Sequence, residues 1–325
     1  MMSHGSSRRE FLGAAIGLSA SSLGASCSTT SESGAALSPR KPTMRLSLSV
    51  RVAESFDNKE KSEMTLDELI SLAKSVGYQA MCMRASQLGI HTAGERVQEA
   101  AEEIGLGGLG VSMVTGDFAV PRNDEHGPDG LRNITPYLDL AESLGADLIR
   151  ICMKKDEDIE WAQKASDEAT ERNIRLAHQS HCASLFETVA GSERVLRAVG
   201  RANFGIIYEP ANWMVAGQNY GPETIERLAA SIFNVYVQNH RLNPESQAML
   251  TTWTNGRVPV DHIGIWEAGG VDFDSVFEGL YAIGYAGYVT VHQAFGGIMS
   301  VTDAVTRSHE FLEAYSSGGP GDLSD

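Results

Sequence analysis

The chain has 325 residues, with 26 Lys and Arg, 42 Asp and Glu and a formal net charge of -16 at pH 7. Nucleic acids and anionic membranes are bound by clustered Lys and Arg, so this acidic balance disfavours both as partners. The hydrophobic content of 42% is typical of a globular protein with a sizeable core. The length suits one large domain or two average ones.

The first 27 residues are typical of an export signal. Arg8 and Arg9 precede an apolar stretch of small residues at 13–23. An Arg pair before such a stretch resembles a twin-arginine signal, which predicts a periplasmic or otherwise extracytoplasmic protein. The alternative, a short amphipathic helix, is weaker because the stretch is uniformly apolar.

Cys27 closes the sequence Leu-Gly-Ala-Ser-Cys, which looks like a degraded lipoprotein box. Gly24 stands where Leu is usual, so cleavage and release is favoured over a lipid anchor at Cys27. Residues 28–43 are rich in Ser, Thr and Ala and predict a flexible linker, and 318–325 predict a disordered tail. The domain itself is expected at 44–317.

Within this domain, β-rich runs alternate with segments of helix length, which predicts repeated βα units and a parallel sheet. Eight such units in one domain predict an α/β fold, a (β/α)8 TIM barrel. A glycine after several helical segments, such as Gly77, Gly105 and Gly200, supplies a helix stop. The expected strands are Arg45–Val52, Ala80–Ala85, Gly110–Thr115, Asp147–Met153, Ile174–His181, Phe204–Glu209, Asn234–His240 and Tyr288–Gln293.

One long connection, 241–271, interrupts the repeat, and a structureless segment of this length usually has a function. We expect it to rise over the C-terminal end of the barrel, where barrels carry their active sites.

The last positions of strands five to eight are polar. Alternation along a strand predicts that Gln179 and His181 share one face, as do Gln238 and His240. His181, Glu209, His240 and His292 are then candidates to converge on the barrel axis. Imidazole and carboxylate together suit a divalent Mn, Zn, Co or Fe ion. For each His alone, a hydrogen-bonded loop residue is the alternative.

Softer candidates for substrate binding are Arg84, Asn212, Trp213 and Arg241, which lie at or after strand ends. Arg84 and Arg150 have side chains suited to sugar hydroxyls or a carboxylate, the alternative being a structural salt bridge. Aromatic faces commonly stack on sugar rings, although a loop Trp also serves as an anchor.

Three late segments carry a family resemblance. Asn203–Asn212, Gly269–Phe273 and Gly284–Val291 resemble motifs of the xylose isomerase-like sugar phosphate isomerase/epimerase family. The resemblance covers Met44 to about Ser316. It implies a TIM barrel that binds a divalent ion through Glu, Asp, His and Glu at the ends of strands five to eight.

This sequence departs from that ligand pattern. By resemblance, the four ligand positions are Gln179, Glu209, Gln238 and His292, so only Glu209 keeps its chemistry. Two carboxylates that resemble a proton-transferring pair are replaced by Gln179 and His292, and an amide cannot act as a general base. His181 and His240 are the hypothetical replacements.

Two functions remain open. The first is an exported sugar isomerase or epimerase, or a related lyase, that transfers a proton next to the carbonyl of a non-phosphorylated or oxidised sugar. His292 or His240 is then the base, with Glu209 as a ligand or catalytic group. The second is a catalytically inactive carbohydrate-binding barrel. In both, the partner is a small carbohydrate, no membrane span is expected, and an oligomer is left open.

Overall fold

The computed structural model describes residues 43–55 and 58–316. The predicted signal at 1–27, including Cys27, the linker up to residue 42 and the tail at 318–325 lie outside these residues. The strands are β1 (Arg45–Ser49), β2 (Ala80–Arg84), β3 (Gly110–Thr115), β4 (Leu148–Ile151), β5 (Arg175–Gln179), β6 (Phe204–Tyr208), β7 (Ile232–Val237), β8 (His240–Leu242), β9 (Met249–Thr252), β10 (Gly256–His262) and β11 (Tyr288–Val291). The α-helices are α1 (Leu66–Val76), α2 (Gly94–Leu106), α3 (Ala119–Arg122), α4 (Asp129–Arg132), α5 (Thr135–Ser143), α6 (Asp158–Glu171), α7 (Val189–Val199), α8 (Pro210–Val215), α9 (Pro222–Leu228), α10 (Phe273–Ala282) and α11 (Val301–Ser316).

Eight parallel strands close into a barrel in the order β1-β11-β7-β6-β5-β4-β3-β2. The ring is closed by β1, which pairs with β11 on one side and β2 on the other. The predicted (β/α)8 barrel is therefore confirmed.

Glycine ends two of the helices as predicted. Gly77 and Gly200 adopt the left-handed conformation, with φ of 113° and 59°, directly after α1 and α7. Gly105 differs, because it lies inside α2 and the helix ends one residue later, at Leu106. Leu106 is 83% exposed, so the two additional residues contribute little to the core.

The barrel interior changes from apolar to polar along the strands. Six strands each contribute one buried residue to an apolar layer, namely Cys82, Met113, Leu148, Ala177, Ile207 and Tyr236. Alternate residues of a strand share a face, so the next inward position lies two residues further on. These next positions form what we call the polar layer, which comprises Ser49, Arg84, Thr115, Arg150, Gln179, Glu209, Gln238 and His292, all buried.

The long connection after β7 is not a structureless loop. It forms a three-stranded antiparallel sheet in the order β8-β10-β9. His240 begins β8 and pairs across the sheet with His262 of β10. The predicted strand Asn234–His240 is therefore wrong at its end, because β7 stops at Val237 and the chain turns into the second sheet.

The three cysteines of the described residues, Cys82, Cys152 and Cys182, are buried free thiols. Among the helices of these same residues, none is long and apolar enough to cross a bilayer.

Candidate functional site

A cavity of about 370 Å³ opens at the C-terminal ends of the strands, within the size range of small-molecule sites. Of the predicted site residues, His181, Gln238, His240 and Asn212 line it. The whole lining comprises Arg51, Lys59, Arg122, Asn123, His181, Cys182, Ala183, Asn212, Gln238, His240, Leu250, Thr251, His262, Gln293 and Ala294.

His181 enters the cavity in a defined tautomer. Its Nδ1 lies 2.8 Å from the carbonyl oxygen of Cys182, and a carbonyl can only accept, so Nδ1 carries the proton. Nε2 therefore holds the lone pair. Burial, followed by the charge of Arg150, holds the pKa of His181 well below 6.5, so the ring is neutral at pH 7. A neutral imidazole with a free lone pair is a candidate proton acceptor.

His240 and His262 form a second imidazole group in the cavity. Their Nδ1 atoms lie 2.9 Å apart, so one ring donates this hydrogen bond and the other accepts it. Burial, helped by His262, lowers the pKa of His240 to about 3. The pair is therefore neutral at physiological pH.

His292 lies beneath the cavity rather than in its wall. Arg84 Nη1 lies 3.4 Å from His292 Nε2, and because guanidinium only donates, Nε2 must accept. His292 Nδ1 then donates to the hydroxyl of Ser49 at 3.1 Å, and the ring stacks on Tyr236. Both nitrogens are engaged, so we revise the expectation that His292 is the base.

Arg84 is held by a carboxylate that the sequence analysis missed. Its Nε and Nη2 donate to the two oxygens of Glu54 at 2.7 and 3.0 Å, and both side chains are 1% exposed. Although burial opposes ionisation, Arg84 and Arg51 hold the pKa of Glu54 below its usual value. Arg84 therefore has a structural salt bridge and does not line the cavity, which revises its expected contact with substrate.

Glu209 lies in the polar layer, behind Gln238. The amide of Gln238 donates to one carboxyl oxygen, while the other oxygen is buried without a hydrogen-bond partner among the described residues. Burial raises the pKa of Glu209 to about 8, although Arg150 and Arg51 oppose the rise. Gln179 also lies in this layer, and its amide oxygen likewise has no partner in the described structure.

Two other predicted substrate contacts lie away from the cavity wall. Trp213 is fully buried, and its indole donates to the carbonyl oxygen of Phe186 at 3.1 Å, so it anchors the segment after β6. Arg241 donates to the carbonyl oxygen of Ala268 and supports the connection instead. Asn212 does line the cavity, with its amide fixed to the carbonyl oxygen of Ser180.

The donors present do not fit the divalent ion that the resemblance implies. Gln238 turns its NH₂ group toward Glu209, and both nitrogens of His292 are engaged. The charges that act on Glu209 are the guanidiniums of Arg150 and Arg51, which disfavour a cation there. In the described part of the chain, no three His, Cys, Asp or Glu side chains are placed to hold a metal. The expected convergence of His181, Glu209, His240 and His292 on one ion is therefore not found.

The residues that sequence reasoning missed come mainly from the segment after β1. Arg51, Glu54 and Lys59 all lie there, and Arg51 and Lys59 line the cavity. The available signal was the presence of charged residues directly after an apolar barrel strand, a position where side chains face the active end.

Comparison with known proteins agrees with this architecture. Residues 70–315 match the family model described as xylose isomerase-like TIM barrel. No curated protein sequence matches the chain.

Three solved structures show the shared fold at low identity. A xylose isomerase-like TIM barrel protein from Mycobacterium smegmatis in complex with magnesium has a TM-score of 0.62 and 13% identity, over 85% of this chain and 97% of its own. A D-allulose 3-epimerase from Methylomonas sp. has a TM-score of 0.60 and 13% identity, over 85% and 99%. The probable 3-DHS dehydratase AsbF from Bacillus anthracis has a TM-score of 0.63 and 13% identity, over 83% and 99%. The family match covers most of the barrel, and the chain belongs to the xylose isomerase-like TIM barrel family.

Proposed function

We propose that the chain is an isomerase or epimerase that transfers a proton next to the carbonyl of a carbohydrate, with His181 as the base. The observation that carries this proposal is the tautomer of His181, a lining residue whose Nδ1 is bound to a backbone carbonyl, so that Nε2 keeps the lone pair. The family includes proteins with such chemistry, since one structural neighbour is a D-allulose 3-epimerase.

The reaction begins when Nε2 of His181 takes the proton from the carbon beside the carbonyl. The electron pair of the broken C–H bond forms a C=C bond, and the carbonyl oxygen takes the negative charge. The basic side chains that line the same cavity supply the electrostatic stabilisation that such a charge needs.

The proton then returns in one of two ways. Its return from His181 to the former carbonyl carbon gives isomerisation, provided that the hydroxyl proton on the adjacent carbon passes to the former carbonyl oxygen, so that the C=C electron pair forms the new C–H bond and the adjacent C–O becomes the carbonyl. Its return to the same carbon from the opposite face gives epimerisation and requires a second group, for which the pair His240 and His262 is available in the same cavity. No step passes through a metal ion, because the donor set does not fit one.

A second candidate is a sugar-binding barrel without catalysis. It is favoured by the amide and the engaged imidazole at Gln179 and His292, where the family resemblance implies two carboxylates. A related lyase activity stays with the first candidate, because it begins with the same proton abstraction.

Deuterium exchange tests the proposal without knowledge of the product. The protein is incubated in D₂O with a panel of aldoses, ketoses and sugar acids, and NMR follows the C–H signal next to each carbonyl. We expect His181→Gln to slow the exchange about 10²- to 10⁴-fold, the usual contribution of a general base. His126→Gln, at a His 72% exposed, is the matched control.

Full exchange by His181→Gln contradicts the assigned base. If the unaltered protein binds a sugar but catalyses no exchange, the sugar-binding barrel without catalysis is favoured instead.

A further inference from the structure

Among the residues that the structure describes, basic side chains line the cavity and acidic ones do not. Arg51, Lys59 and Arg122 line it, and no Asp or Glu is among its lining residues in the described structure, although Arg122 forms an exposed ion pair with Glu60 outside the lining. The whole chain has a formal charge of -16, so this local excess does not follow from composition.

The buried charges behind the wall do not neutralise it. Arg51 approaches Glu54 at 3.7 Å, but both oxygens of Glu54 are already bound by Arg84 at shorter distances. Arg51 Nε is buried with no hydrogen-bond partner among the described residues. One carboxylate is therefore shared between two guanidiniums.

A third guanidinium lies in the polar layer without an ion pair. Arg150 is 3% exposed, its Nε has no hydrogen-bond partner, and no carboxylate of the described residues forms a salt bridge with it. Glu209, the other buried acid nearby, is held largely protonated at pH 7 by its burial. Arg150 Nη2 does donate to the carbonyl oxygen of Val120 at 3.5 Å, but a buried charge without a counter-ion is costly, and a bound anion would offset that cost.

The pKa of Lys59 is also affected by the neighbouring guanidinium groups. Its amine donates to the carbonyl oxygen of Pro121 at 3.1 Å. Burial, followed by the charges of Arg51, Arg84 and Arg150, lowers the pKa of Lys59 to about 6. An anion in the cavity would favour the charged amine and so gain a third cationic partner.

We propose that the cavity binds a sugar acid, whose carboxylate is held by Arg51, Lys59 and Arg122. This inference names the substrate class of the function proposed above and rests on that function for the carbohydrate part. A carboxylate is favoured over a phosphate because phosphate sites commonly use Gly-rich backbone at a helix N-terminus, and no glycine is among the described residues that line this cavity. Guanidinium groups match the planar carboxylate directly.

Calorimetric titration of the full chain at pH 7 and low salt tests the proposal. The two ligands are D-glucuronate and D-glucose, which differ only in that the first has a carboxylate where the second has a hydroxymethyl group. We expect D-glucuronate to bind at least tenfold more tightly. Arg51→Gln and Arg122→Gln should each weaken its binding about 10- to 100-fold, because hydrogen bonds to charged groups contribute that much. Arg122 is 41% exposed at the rim, so its replacement leaves the core intact.

Arg96→Gln is the matched control, since Arg96 is a half-exposed cation on α2 and does not line the cavity. Equal binding of both sugars, no binding of D-glucuronate, or unchanged affinity in both cavity variants overturns the proposal. Tighter binding of D-glucose 6-phosphate than of D-glucuronate overturns the carboxylate assignment. The titration measures binding alone, so it is independent of the exchange experiment. If deuterium exchange occurs with neutral sugars only, the sugar acid is the wrong ligand but the proposed enzymatic function is still supported.

Discussion

The ionisation of Glu209, in the polar layer of the candidate site, makes the stability of the barrel depend on pH. The folded protein keeps this carboxyl protonated up to a pKa of about 8, whereas the usual value is 4.5. Between these two pH values the folded state binds more protons at this position than the unfolded state. The contribution of Glu209 to stability is therefore fully present below pH 4.5 and is lost as the pH rises through 8.

Replacing Glu209 by Gln should remove this pH dependence. Gln cannot ionise and keeps an oxygen that accepts from Gln238. We expect the stability of the variant relative to the unaltered protein to rise by about 1.4 kcal/mol per pH unit between pH 5 and 8 and to level off above. Urea unfolding followed by circular dichroism at several pH values measures it, with Glu99→Gln at an exposed site of α2 as the control. Parallel pH profiles for Glu209→Gln and the unaltered protein would show that Glu209 is ionised in the fold.

For individual residues, the sequence predicted which polar side chains reach the cavity better than it predicted their hydrogen bonds. His181, His240, Gln238 and Asn212 were identified because polar residues at strand ends face the active end of a barrel. The role of His292 could not be predicted, because its tautomer depends on Arg84 and Ser49, which are distant in sequence.

Among the elements, the sheet formed by β8, β10 and β9 decides the shape of the cavity. It contributes His240, Leu250, Thr251 and His262 to the lining. Glu187, between β5 and α7, holds it in place: one oxygen accepts from the backbone NH of Trp253 at 2.8 Å and the other from that of Thr254 at 2.7 Å. The same carboxylate also accepts from Ala183 N at 2.5 Å, so one buried side chain ties the turn after β9 to the barrel.

Replacing Glu187 by Ala should loosen this sheet more than the barrel. Three backbone NH groups lose a charged acceptor, which should cost about 3 kcal/mol of unfolding free energy. The amides of Trp253 and Thr254 should exchange with D₂O faster, as hydrogen exchange with mass spectrometry measures. Glu187→Gln, which keeps one oxygen, should show a smaller effect, and Glu160→Ala, at an exposed site on α6, none. Unchanged exchange at both amides in Glu187→Ala would mean that other contacts hold the turn.

The sequence predicted the strands of the barrel but not this second sheet. Apolar runs and glycine stops repeat along the barrel, so its strands can be found by period. β10 contains Pro259 although it is the central strand of its sheet, and Pro normally argues against such a position. Pro259 lacks a backbone NH, but its carbonyl oxygen still accepts a hydrogen bond from the backbone NH of Asn243. The strand therefore pairs through its carbonyl groups, which the rule against Pro in central strands does not consider.

For the molecule as a whole, charge is distributed unevenly. The chain is strongly acidic, yet its cavity wall and the polar layer beneath it carry Arg51, Arg84, Arg150 and Lys59. Composition disfavours nucleic acid and anionic membranes as partners, but it does not reveal the cluster of basic residues around the cavity, because net charge averages over the whole chain. Only the closure of the barrel, which brings β1, β2 and β4 together, makes the local excess visible.

Export is the last prediction, and it concerns residues outside the described structure. Arg8 and Arg9 stand before an apolar stretch, the pattern of a twin-arginine signal. We propose that this signal directs the barrel out of the cytoplasm.

Lys keeps the positive charge but lacks the planar, five-donor guanidinium, so the double replacement Arg8→Lys and Arg9→Lys tests whether the guanidinium itself is recognised. We expect the variant to accumulate in the cytoplasm with its signal attached, as cell fractionation and intact-protein mass would reveal. Arg96→Lys on α2 controls for a general effect of the substitution. If the double variant is exported and processed like the unaltered chain, the twin-arginine interpretation is wrong, and a sugar acid encountered inside the cell becomes the expected ligand.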